Sequence, residues 1–465
     1  MKKILWFRRD LRSEDSMLLA QEGDVLPIFI FDPTLLDPLD KNDQRVMFIF
    51  QTLMTLKQEL KNIGLDLAFF YGTPFDVFSY LKTLGFDSVY ASVDYDSYAQ
   101  ERDKQIASLL TFHPLHDCYL FEPNEVLKKD GTPYLVFTPY YRACQQLYTK
   151  FHVLKYIKSP QKLIDFDFTV LWKITHHEKT ALPLQIESLA FTPSKMTIPS
   201  AHALLQTFKK HINEYALNRD FLALDATSRL SVHLRFGTIS IREVVRFLIE
   251  LKREGFSTEP YFRQLIFREF YAYLLYHFPS LAWQNYKYSP PYLDDDSVYE
   301  RFCTAQTGYP LIDAAITELL ETGYMHNRAR MIVGSFFTKH LLLSWQKGEA
   351  FFARYLLDYD ASANILSWQW CAGTGIDPQP YFRIFNPYSQ GAKFDKDALY
   401  IKRYLPLLRD IPSASLHKEA YLLSHRIPHY PKPIVMHDNA RKRFLDLFHL
   451  NPLLTKSNVS DNKVY

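Results

Sequence analysis

The first 130 residues alternate short, continuous apolar runs with amphipathic stretches, and few folds accommodate that alternation. The apolar runs are rich in β-branched and aromatic residues, as strands buried on both faces are. These runs are Lys3–Phe7, Val25–Phe31, Leu67–Tyr71 and Val89–Ala91. The stretches with helical spacing between them are Arg45–Asn62, Phe75–Leu84 and Ala99–Leu110. Strands and helices in alternation predict an α/β domain with a parallel, doubly wound sheet of five strands.

The turn after the first apolar run carries no signature of a particular ligand. Its residues, Arg8-Arg9-Asp10, lack the glycines of the G-x-G-x-x-G fingerprint that marks dinucleotide sites. Glycine is scarce in the whole chain, with 14 in 465 residues. The pattern therefore predicts the fold of this region and leaves its ligand open.

The rest of the chain predicts a second domain of a different class. A length of 465 residues exceeds what one hydrophobic core usually serves. Periodicity fades between residues 131 and 200, where prolines recur, and this segment predicts a long connector. The expected helices beyond it are Ile241–Arg253, Tyr261–His277, Leu311–Glu321, Arg328–Leu343 and Ala350–Leu357. The predicted organisation is an α/β domain over 1–130, a connector over 131–200 and a large all-α domain over 201–465.

Charge, cysteine spacing and hydropathy limit the classes of function. The 54 basic residues are nearly balanced by 51 acidic ones, so nucleic-acid binding is permitted but requires local patches. The four cysteines lie far apart, which predicts reduced thiols in the cytoplasm rather than disulfides or a zinc site. No apolar run reaches the roughly 18 residues of a membrane span. We therefore expect neither a membrane segment nor a metal.

Two clusters of polar residues could hold a ligand. Thr227–Ser231 could bind an anion at the start of a helix, although simple N-capping explains the motif better when it is taken alone. Arg330 and Asp358 could form a buried ion pair that fixes the charge of a ligand, or an ion pair with only a structural role. From the residues alone both alternatives stay open.

Several segments taken together carry a family resemblance. They are Trp6–Arg12, Thr227–Ser231, Arg268–Tyr271, Thr307–Asp313, Met325–Arg328, Trp368–Trp370, Tyr381–Pro387 and Tyr430–Val435. In these segments the chain resembles the class I cyclobutane pyrimidine dimer photolyases of the photolyase/cryptochrome family. The resemblance implies an antenna domain, a connector and a helical domain that holds FAD. This organisation matches the one that periodicity predicts.

The resemblance implies a flavin site in the helical domain. The residues expected to bind FAD are Tyr215, Thr227, Ser228, Arg229, Leu230, Ser231, Gln264, Arg268, Phe270, Tyr271, Arg330, Asp358, Asp360 and Asn364. Asn364 is expected to face the redox-active edge of the isoalloxazine, where plant cryptochromes carry an aspartate. An amide suits reduced, anionic FAD because it forms hydrogen bonds without supplying a proton.

The implied reaction is light-driven DNA repair without an acid, a base or a covalent nucleophile. Excited, reduced FAD passes one electron to a flipped-out cyclobutane pyrimidine dimer, the ring opens and the electron returns. The family's aromatic relay for reducing the flavin corresponds to Trp368, Trp345 and Tyr292, although composition alone explains such tryptophans as core packing. Tyr292 replaces a tryptophan and must release a proton on oxidation. Photoreduction is therefore expected to be slower, more dependent on pH, or routed through Tyr288.

The implied partner is UV-damaged DNA, bound by a monomer. The residues expected to line the lesion pocket and the DNA-facing surface are Arg219, Gln264, Phe267, Arg268, Asn327, Arg328, Met331, Trp370, Arg383, Gln390 and Lys393. Phe267 stands where the family usually stacks a tryptophan on the dimer, so weaker binding of the dimer is expected.

The antenna chromophore is the least constrained part of the resemblance. Val93–Asp103 is similar to the segment that commonly meets a folate, with Glu101 retained and Gln100 in place of asparagine. The expected antenna is 5,10-methenyltetrahydrofolate, with a deazaflavin as the alternative.

Two other functions compete with dimer repair. A cryptochrome-like blue-light photoreceptor would signal through a partner, but Asn364 and the short final segment Met436–Tyr465 favour an enzyme. Gln264 is more typical of (6-4) photolyases. The chemistry of those enzymes needs a proton transfer that Asn327 and Met331 cannot provide. Repair of cyclobutane dimers is therefore the expected activity.

Overall fold

The computed structural model describes residues 2–176, 178–193 and 197–449, so the end of the segment Met436–Tyr465 lies outside the described residues. The chain forms two compact units. The first unit comprises Met1–Pro133, Tyr141–Lys210 and Ser228–Glu269, and the second comprises Tyr134–Tyr140, His211–Thr227 and Phe270–Tyr465. Because each unit combines distant segments, the units do not test contiguous boundaries at residues 130 and 200. Those boundaries stay predictions.

The first unit contains a single large sheet. Its strands are β1 (Lys2–Trp6), β2 (Gly23–Phe31), β3 (Ala68–Tyr71), β4 (Ser88–Ser92), β5 (Thr111–Leu115), β6 (Gln161–Leu163), β7 (Val170–Thr175) and β8 (Glu178–Pro183). Along the sheet the order is β5-β4-β1-β2-β3-β7-β8, and β6 pairs with the start of β2. Strands β1 to β5 are parallel in their pairings. The order β5-β4-β1-β2-β3 is that of a doubly wound sheet, so the predicted fold class is confirmed.

The sheet has eight strands, not the five that we expected. The additional strands come from residues 161–183, a segment in which the sequence pattern predicted a connector. β6 and β7 pair in parallel with β2 and β3, and β8 closes the edge antiparallel to β7. Most positions in β6, β7 and β8 are exposed or only partly buried. They therefore lack the continuous apolar runs by which the central strands were recognised.

Helices supply most of the remaining regular structure. In order they begin with α1 (Pro33–Leu36), α2 (Gln44–Asn62), α3 (Pro74–Thr83), α4 (Ser97–Leu109), α5 (Phe137–Leu147), α6 (Ala201–Lys209), α7 (Tyr215–Asn218), α8 (Ser231–Phe236), α9 (Ile241–Arg253) and α10 (Glu259–His277). They continue with α11 (Asp296–Cys303), α12 (Pro310–Thr322), α13 (Asn327–Ser335), α14 (Trp345–Tyr355), α15 (Ala361–Ala372), α16 (Pro387–Phe394), α17 (Leu399–Tyr404), α18 (Ser413–Leu416), α19 (Glu419–Ser424) and α20 (His437–His449). Among the described residues, no helix combines the length and the apolar character that crossing a bilayer requires.

Capping side chains explain where the helices around the sheet begin. Asp43, Thr73 and Asp96 each accept a backbone N–H bond from the first turn of α2, α3 and α4 respectively. Such caps satisfy N–H groups that have no partner within the helix. The sequence pattern alone placed these starts only to within one or two residues.

The central strands form the core that positions the end of β1. Ile4 and Trp6 of β1, Leu26 of β2 and Phe70 of β3 belong to one buried cluster. The ring of Phe78 on α3 meets Trp6 edge-on, with 4.9 Å between the centroids. β1 and β4 are neighbours from the two halves of the sheet, and their carboxyl ends form the switch point where doubly wound sheets bind ligands.

Side chains of the protein itself fill this switch point. Arg8 follows β1 and lies 2.6 Å from Asp103 of α4, and Arg102 lies 3.0 Å from the same carboxylate. The guanidinium groups of Arg8 and Arg102 stand 4.6 and 4.9 Å from the ring of Trp6. The crevice is thus occupied by stacked and paired side chains.

A buried charge network ties the turn after β1 to α9. Asp117 lies 2.5 Å from Arg12 and 2.6 Å from Arg242, and Asp15 lies 3.2 Å from Arg242 and 2.6 Å from Arg246. Asp117 has a fully buried side chain, and that of Asp15 is 1% exposed. Removing a charge from water is costly unless a counter-charge accompanies it. The network therefore fixes α9 against the turn that carries Arg12 and Asp15.

The pKa of Asp15 shows that its partners outweigh its burial. Burial alone would raise the pKa, but the guanidinium of Arg242 and hydrogen bonds from Ser240 and the Tyr156 N–H bring the net shift below the usual value. Asp15 is therefore a carboxylate at neutral pH, and its contribution to stability is lost as the pH falls through its lowered pKa.

In the second unit, two of the family-like segments bind each other. Asp313 accepts hydrogen bonds from the Thr307 N–H (2.9 Å), the Gly308 N–H (3.0 Å) and the Tyr430 hydroxyl (2.7 Å). The Ile434 N–H donates to the Thr307 carbonyl at 2.8 Å. Burial raises the pKa of Asp313 to about 6, although these hydrogen bonds oppose the shift. These contacts give both family-like segments a structural role.

The helix that we expected over Arg328–Leu343 is interrupted. α13 gives way to a π-turn, Phe336–His340, and the chain leaves it at Leu342 with a φ of +57°. All residues of this π-turn are buried, Lys339 included. The change covers only five residues, all of them buried, so the apolar pattern of the longer segment did not reveal it.

Replacing Arg242 with methionine should leave Asp15 and Asp117 buried without their shared counter-charge. We expect the free energy of unfolding to fall by about 3–5 kcal/mol, as when other buried ion pairs are broken. The midpoint of urea unfolding measures the loss. Arg253→Met is the matched control, since Arg253 is an exposed arginine on the same helix. Equal midpoints for the two variants would contradict a structural role of the network.

Candidate functional site

The predicted pair Arg330 and Asp358 forms in the second unit. The Nη2 atom of Arg330 lies 3.0 and 2.9 Å from the two carboxylate oxygens, and its Nε donates to the Met325 carbonyl at 2.8 Å. Burial alone would lower the pKa of Arg330, but the Asp358 carboxylate outweighs it and the pKa is raised. The Arg330 guanidinium is therefore protonated, and Asp358 fixes its orientation. Its role beside a flavin stays a prediction.

Asn364 is held by a carboxylate that sequence reasoning missed. Its Nδ2 atom donates to the carbonyl oxygen of Glu349 at 3.1 Å and to the Glu349 carboxylate at 3.0 Å. Tyr359 donates to the same carboxylate at 3.2 Å. Because both amide hydrogens are committed to Glu349, the side-chain oxygen of Asn364 is left as an acceptor. Asp360 caps the same helix, α15, through the Ala363 N–H.

Glu349 is a partly buried carboxyl group, and among the described residues its hydrogen bonds come from Asn364 and Tyr359 and not from a basic side chain. Burial raises its pKa, and the hydrogen bonds from Asn364 and Tyr359 oppose the shift. The one signal for Glu349 in the sequence is its position four residues after Trp345, which places both on one face of α14.

Two of the predicted relay residues pack around α14. Trp345 is 1% and Trp368 3% exposed. The Trp368 ring lies edge-on to Phe352 at 4.9 Å and closes against Gly348, where an added Cβ would stand 2.3 Å from the ring. The Trp345 indole N–H donates to Asn285 at 2.7 Å. Both tryptophans are rigidly held, and one residue of α14, Gly348, permits the close approach of Trp368.

Tyr292, the third predicted relay residue, lies next to Trp345. Its hydroxyl is buried near the backbone N–H of Trp345 and lacks a hydrogen-bond partner within the described part of the chain. Burial raises the pKa of Tyr292 well above that of free tyrosine. The adjacent segment is fixed, because the Leu293 N–H donates to the Leu342 carbonyl at 2.8 Å. Within the described residues, the Tyr292 hydroxyl thus has no hydrogen-bonded base to receive its proton on oxidation.

The expected DNA-contacting residues of the second unit differ in how firmly they are held. Arg328 pairs with Asp220 at 2.5 Å and lies 4.5 Å from the ring of Phe394. Asn327 approaches the Met331 sulfur at 3.9 Å. The remaining residues are exposed or partly buried, and they are Arg219, Trp370, Arg383, Gln390 and Lys393.

The other flavin-site residues expected in this unit lie in and around its core. Phe270 is 1% exposed and packs against Tyr140 at 5.0 Å. Tyr215 is 7% exposed, and the Arg219 guanidinium lies 5.5 Å from its ring. Burial raises the pKa of Tyr271, which faces Ser367. Thr227 is partly buried. None of these positions brings a charged group toward a ligand, so their roles stay predictions.

The first unit holds the rest of the anion motif. α8 begins at Ser231 without a side-chain cap, so N-capping by the motif is wrong. Ser228 instead accepts a hydrogen bond from Tyr261 at 2.8 Å. Arg229 is exposed and takes a left-handed φ of +52°, and Leu230 is buried. The strained backbone at an exposed arginine fits a binding loop better than a helix cap.

α10 carries the remaining predicted residues of the first unit. Gln264 and Phe267 are partly buried. Arg268 donates to the carbonyls of Cys118 (3.0 Å) and Leu234 (3.1 Å), so its guanidinium is used by the protein itself. Sequence reasoning missed Glu269, whose pKa is raised by burial to about 7 although it accepts N–H bonds from the chain.

The predicted antenna residues lie on α4. Gln100 donates to the Tyr95 carbonyl at 2.9 Å, so its amide is partly committed. Glu101 is exposed, with Lys104 at 4.0 Å. The carboxylate of Glu101 is therefore accessible to a ligand.

Two family models match this chain. One is described as DNA photolyase and matches residues 3–160, and the other as the FAD binding domain of DNA photolyase and matches residues 261–450. A deoxyribodipyrimidine photo-lyase of Alkalihalophilus pseudofirmus is 35% identical, over 96% of this chain and 97% of that protein. This chain belongs to the DNA photolyase family.

Solved structures of photolyases share the fold. A bacterial class III photolyase from Agrobacterium tumefaciens aligns with a TM-score of 0.83 and 31% identity, covering 97% of both chains. An archaeal photolyase from Sulfolobus tokodaii, solved with two FAD molecules, aligns with a TM-score of 0.81 and 28% identity, covering 97% of this chain and 100% of the other. Family membership does not fix the subclass, so the resemblance to class I stays a prediction.

The side chains of the second unit fit the FAD that this family binds. Asp358 holds the Arg330 guanidinium in a fixed orientation, and the side-chain oxygen of Asn364 remains an acceptor. Both lie within residues 261–450, which match the FAD binding domain. Within residues 2–176, 178–193 and 197–449, no group of histidine, cysteine or acidic side chains could hold a metal ion.

Gly348→Ala should reverse the usual sign of a glycine-to-alanine change in a helix. Alanine normally stabilises a helix interior by about 1 kcal/mol. Here the added Cβ would collide with Trp368, and we expect a loss of about 1–3 kcal/mol. Urea unfolding of Gly348→Ala, alone and combined with Trp368→Phe, measures the coupling. An equal effect in both backgrounds would show that the contact with Trp368 is not the cause.

Proposed function

We propose that this chain is a light-driven repair enzyme that splits cyclobutane pyrimidine dimers in UV-damaged DNA. Its relatives over nearly the full length are named deoxyribodipyrimidine photo-lyase. The observation that carries the proposal is the oriented amide of Asn364, which Glu349 holds within the region matched to the FAD binding domain. An oriented acceptor that supplies no proton suits a flavin that works in its reduced, anionic state.

Reduced FAD, when bound, supplies one electron to the dimer under light and takes it back after the cyclobutane ring has opened. The protein's task is to position the reactants and to keep the charge of the flavin. Arg330, oriented by Asp358, would offset negative charge on the isoalloxazine, and Asn364 would accept a hydrogen bond from it. Asp360, at the start of the same helix, would lie on the ligand. We assign no proton transfer to a side chain in the repair step.

Binding of DNA combines a basic surface with preorganised contacts. Arg219, Arg383 and Lys393 would meet phosphates, with Gln390 beside them. Arg328 is held by Asp220 before DNA arrives, so less side-chain freedom is lost on binding. Trp370, Asn327 and Met331 would contact the flipped-out lesion, as would Gln264, Phe267 and Arg268.

We propose 5,10-methenyltetrahydrofolate as the antenna, with a deazaflavin as the alternative. The exposed carboxylate of Glu101 could accept the two parallel N–H bonds that the pterin ring of a folate offers. The crevice at the end of β1, which would suit a flavin-sized ligand, is occupied by Trp6, Arg8 and Arg102. A flavin-type antenna is the second choice, because an archaeal photolyase of the same fold was solved with two FAD molecules.

We also propose that the protein acts as a monomer in the cytoplasm. All four cysteines are free thiols, which supports a reducing compartment. A flipped lesion is repaired by one flavin, so the reaction itself requires no second subunit.

A cryptochrome-like photoreceptor and a (6-4) photolyase are the alternatives. Asn364, rather than an aspartate, favours an enzyme that keeps its flavin reduced. Asn327 and Met331 offer no group able to donate a proton to a (6-4) lesion. Gln264 is the residue that keeps the second alternative open.

The purified protein, with its flavin reduced, should reverse a defined thymine dimer in DNA under blue light. We expect no reversal in the dark and no repair of a (6-4) photoproduct in a parallel reaction. Chromatography of the digested DNA measures both lesions. Repair of only the (6-4) lesion would replace the assigned substrate, and repair of neither by flavin-loaded protein would favour the photoreceptor.

Tyr292→Phe should slow the light-driven reduction of bound FAD several-fold when an external thiol supplies electrons. Phenylalanine cannot be oxidised under these conditions, so the last member of the relay would be missing. Flavin absorbance under continuous blue light measures the rate. Tyr288→Phe is the comparison. If FAD reduction is slower in Tyr288→Phe and unchanged in Tyr292→Phe, electrons from the thiol enter the relay through Tyr288.

A further inference from the structure

The loop between α15 and α16, residues 373–386, presents two large side chains to solvent. Phe382 is 60% exposed, and Arg383 beside it is exposed as well. An exposed phenylalanine of this size next to an arginine is typical of a surface that binds a partner. In a DNA repair enzyme such a loop has to keep one shape, since a mobile loop would lose conformational entropy on binding.

The ends of this loop are fastened by ordinary hydrogen bonds. On the α15 side, Gln379 donates to the Cys371 carbonyl at 2.8 Å and is 2% exposed. On the α16 side, the Phe385 N–H donates to Ser335 at 3.3 Å. Neither bond reaches Phe382 or Arg383 themselves.

A buried lysine fastens the exposed part of the loop. Lys339, in the π-turn Phe336–His340, is fully buried, and its Nζ donates to the carbonyl oxygen of Arg383 at 3.0 Å. The backbone of Arg383 is thus held from inside the unit while its side chain stays outside. The extra residue of a π-turn shifts the side chains that follow it, and such turns are frequent at functional sites.

The groups around Lys339 do not offset the free-energy cost of burying its charge. The titratable and charged groups that face it are Cys371 on α15 and Arg383 in the loop, with His340 as its neighbour and His437 and Arg443 on α20 near His340. Within the described part of the chain, the groups facing Lys339 include no carboxylate. Burial lowers the pKa of Lys339 to about 7. An apolar side chain of the same length would stabilise the core better, so stability does not explain this lysine.

We propose that Lys339 is a positioning residue for DNA binding, which holds the loop of residues 373–386 in its binding conformation through the Arg383 carbonyl. The inference rests on the proposed function, because Arg383 is assigned there to the DNA surface. Lys339 touches neither DNA nor flavin and takes no part in the chemistry. Its effect should therefore appear in affinity for DNA and in the shape of the loop.

The protonation state of Lys339 makes this contact depend on pH. Below about pH 7 the ammonium group makes a charge-assisted hydrogen bond, and above it the neutral amine makes a weaker one. The affinity for DNA should accordingly fall more steeply above pH 7 in the wild-type protein than in a variant without the lysine. His340 does not contribute in this range, since burial lowers its pKa to about 3.

The test compares Lys339→Met with Lys418→Met, which removes an exposed lysine from the same unit. Trypsin cleavage after Arg383, followed by mass spectrometry at pH 7, should be several-fold faster in Lys339→Met only. The dissociation constant for dimer-containing DNA should rise about fivefold, the equivalent of one hydrogen bond. The melting temperature of Lys339→Met should be unchanged or higher, which a purely structural lysine would not give.

Each outcome bears on the proposal separately from the assigned function. Unchanged cleavage after Arg383 would overturn it, whatever the protein repairs, because that measurement uses neither DNA nor light. If Lys339→Met is cleaved faster after Arg383 but the wild-type protein repairs no lesion, the role of Lys339 in holding the loop stands and the proposed function is rejected. If Lys339→Met does not fold, Lys339→Arg replaces it, because arginine keeps its charge throughout this pH range. A loss of DNA affinity above pH 7 that is as steep in Lys339→Arg as in the wild-type protein would then overturn the proposal.

Discussion

Arg242 touches both Asp15 and Asp117, and the arrangement of the first unit depends on these contacts. A buried carboxylate needs a counter-charge and hydrogen-bond donors in fixed places, so it specifies geometry more strictly than apolar packing does. The turn after β1, the residues that follow β5 and helix α9 are thereby joined at one point. The sheet can then hold its order, because the two acidic residues beneath that turn are neutralised by arginines from a distant part of the chain.

The same requirement shapes the second unit, with a functional consequence. Asp358 orients Arg330, and Glu349 orients Asn364, so the groups assigned to the flavin are fixed by neighbours that need not touch it. Lys339 is the contrasting case, a buried amine held by one carbonyl oxygen and opposed by its surroundings. Lys339, whose charge is poorly compensated, thus lies behind the loop that presents Arg383.

Much of the fold could be predicted because the central strands and the longer helices carry strong periodic signals. α9 was placed at its observed bounds, Ile241–Arg253, by its amphipathic pattern. β6, β7 and β8 were missed because they bury few residues, and the π-turn because a change over five buried residues does not alter the apolar pattern of the longer segment. In the site, family motifs pointed to Arg330, Asp358 and Asn364. They could not reveal Glu349 or Lys339, whose importance follows from contacts between residues far apart in sequence.

The first unit is assembled from segments that lie far apart in the chain, so it cannot be completed early in synthesis. β1 to β5 leave the ribosome within the first 115 residues, but Arg242 and Arg246 follow only after α9 has been translated. Until then Asp15 and Asp117 lack the arginines of α9, although Arg12 already accompanies Asp117, and the sheet lacks β6 and β7 for part of that time. The nascent amino-terminal segment should therefore remain a loosely ordered, aggregation-prone intermediate and depend on chaperones until more than half of the chain has emerged.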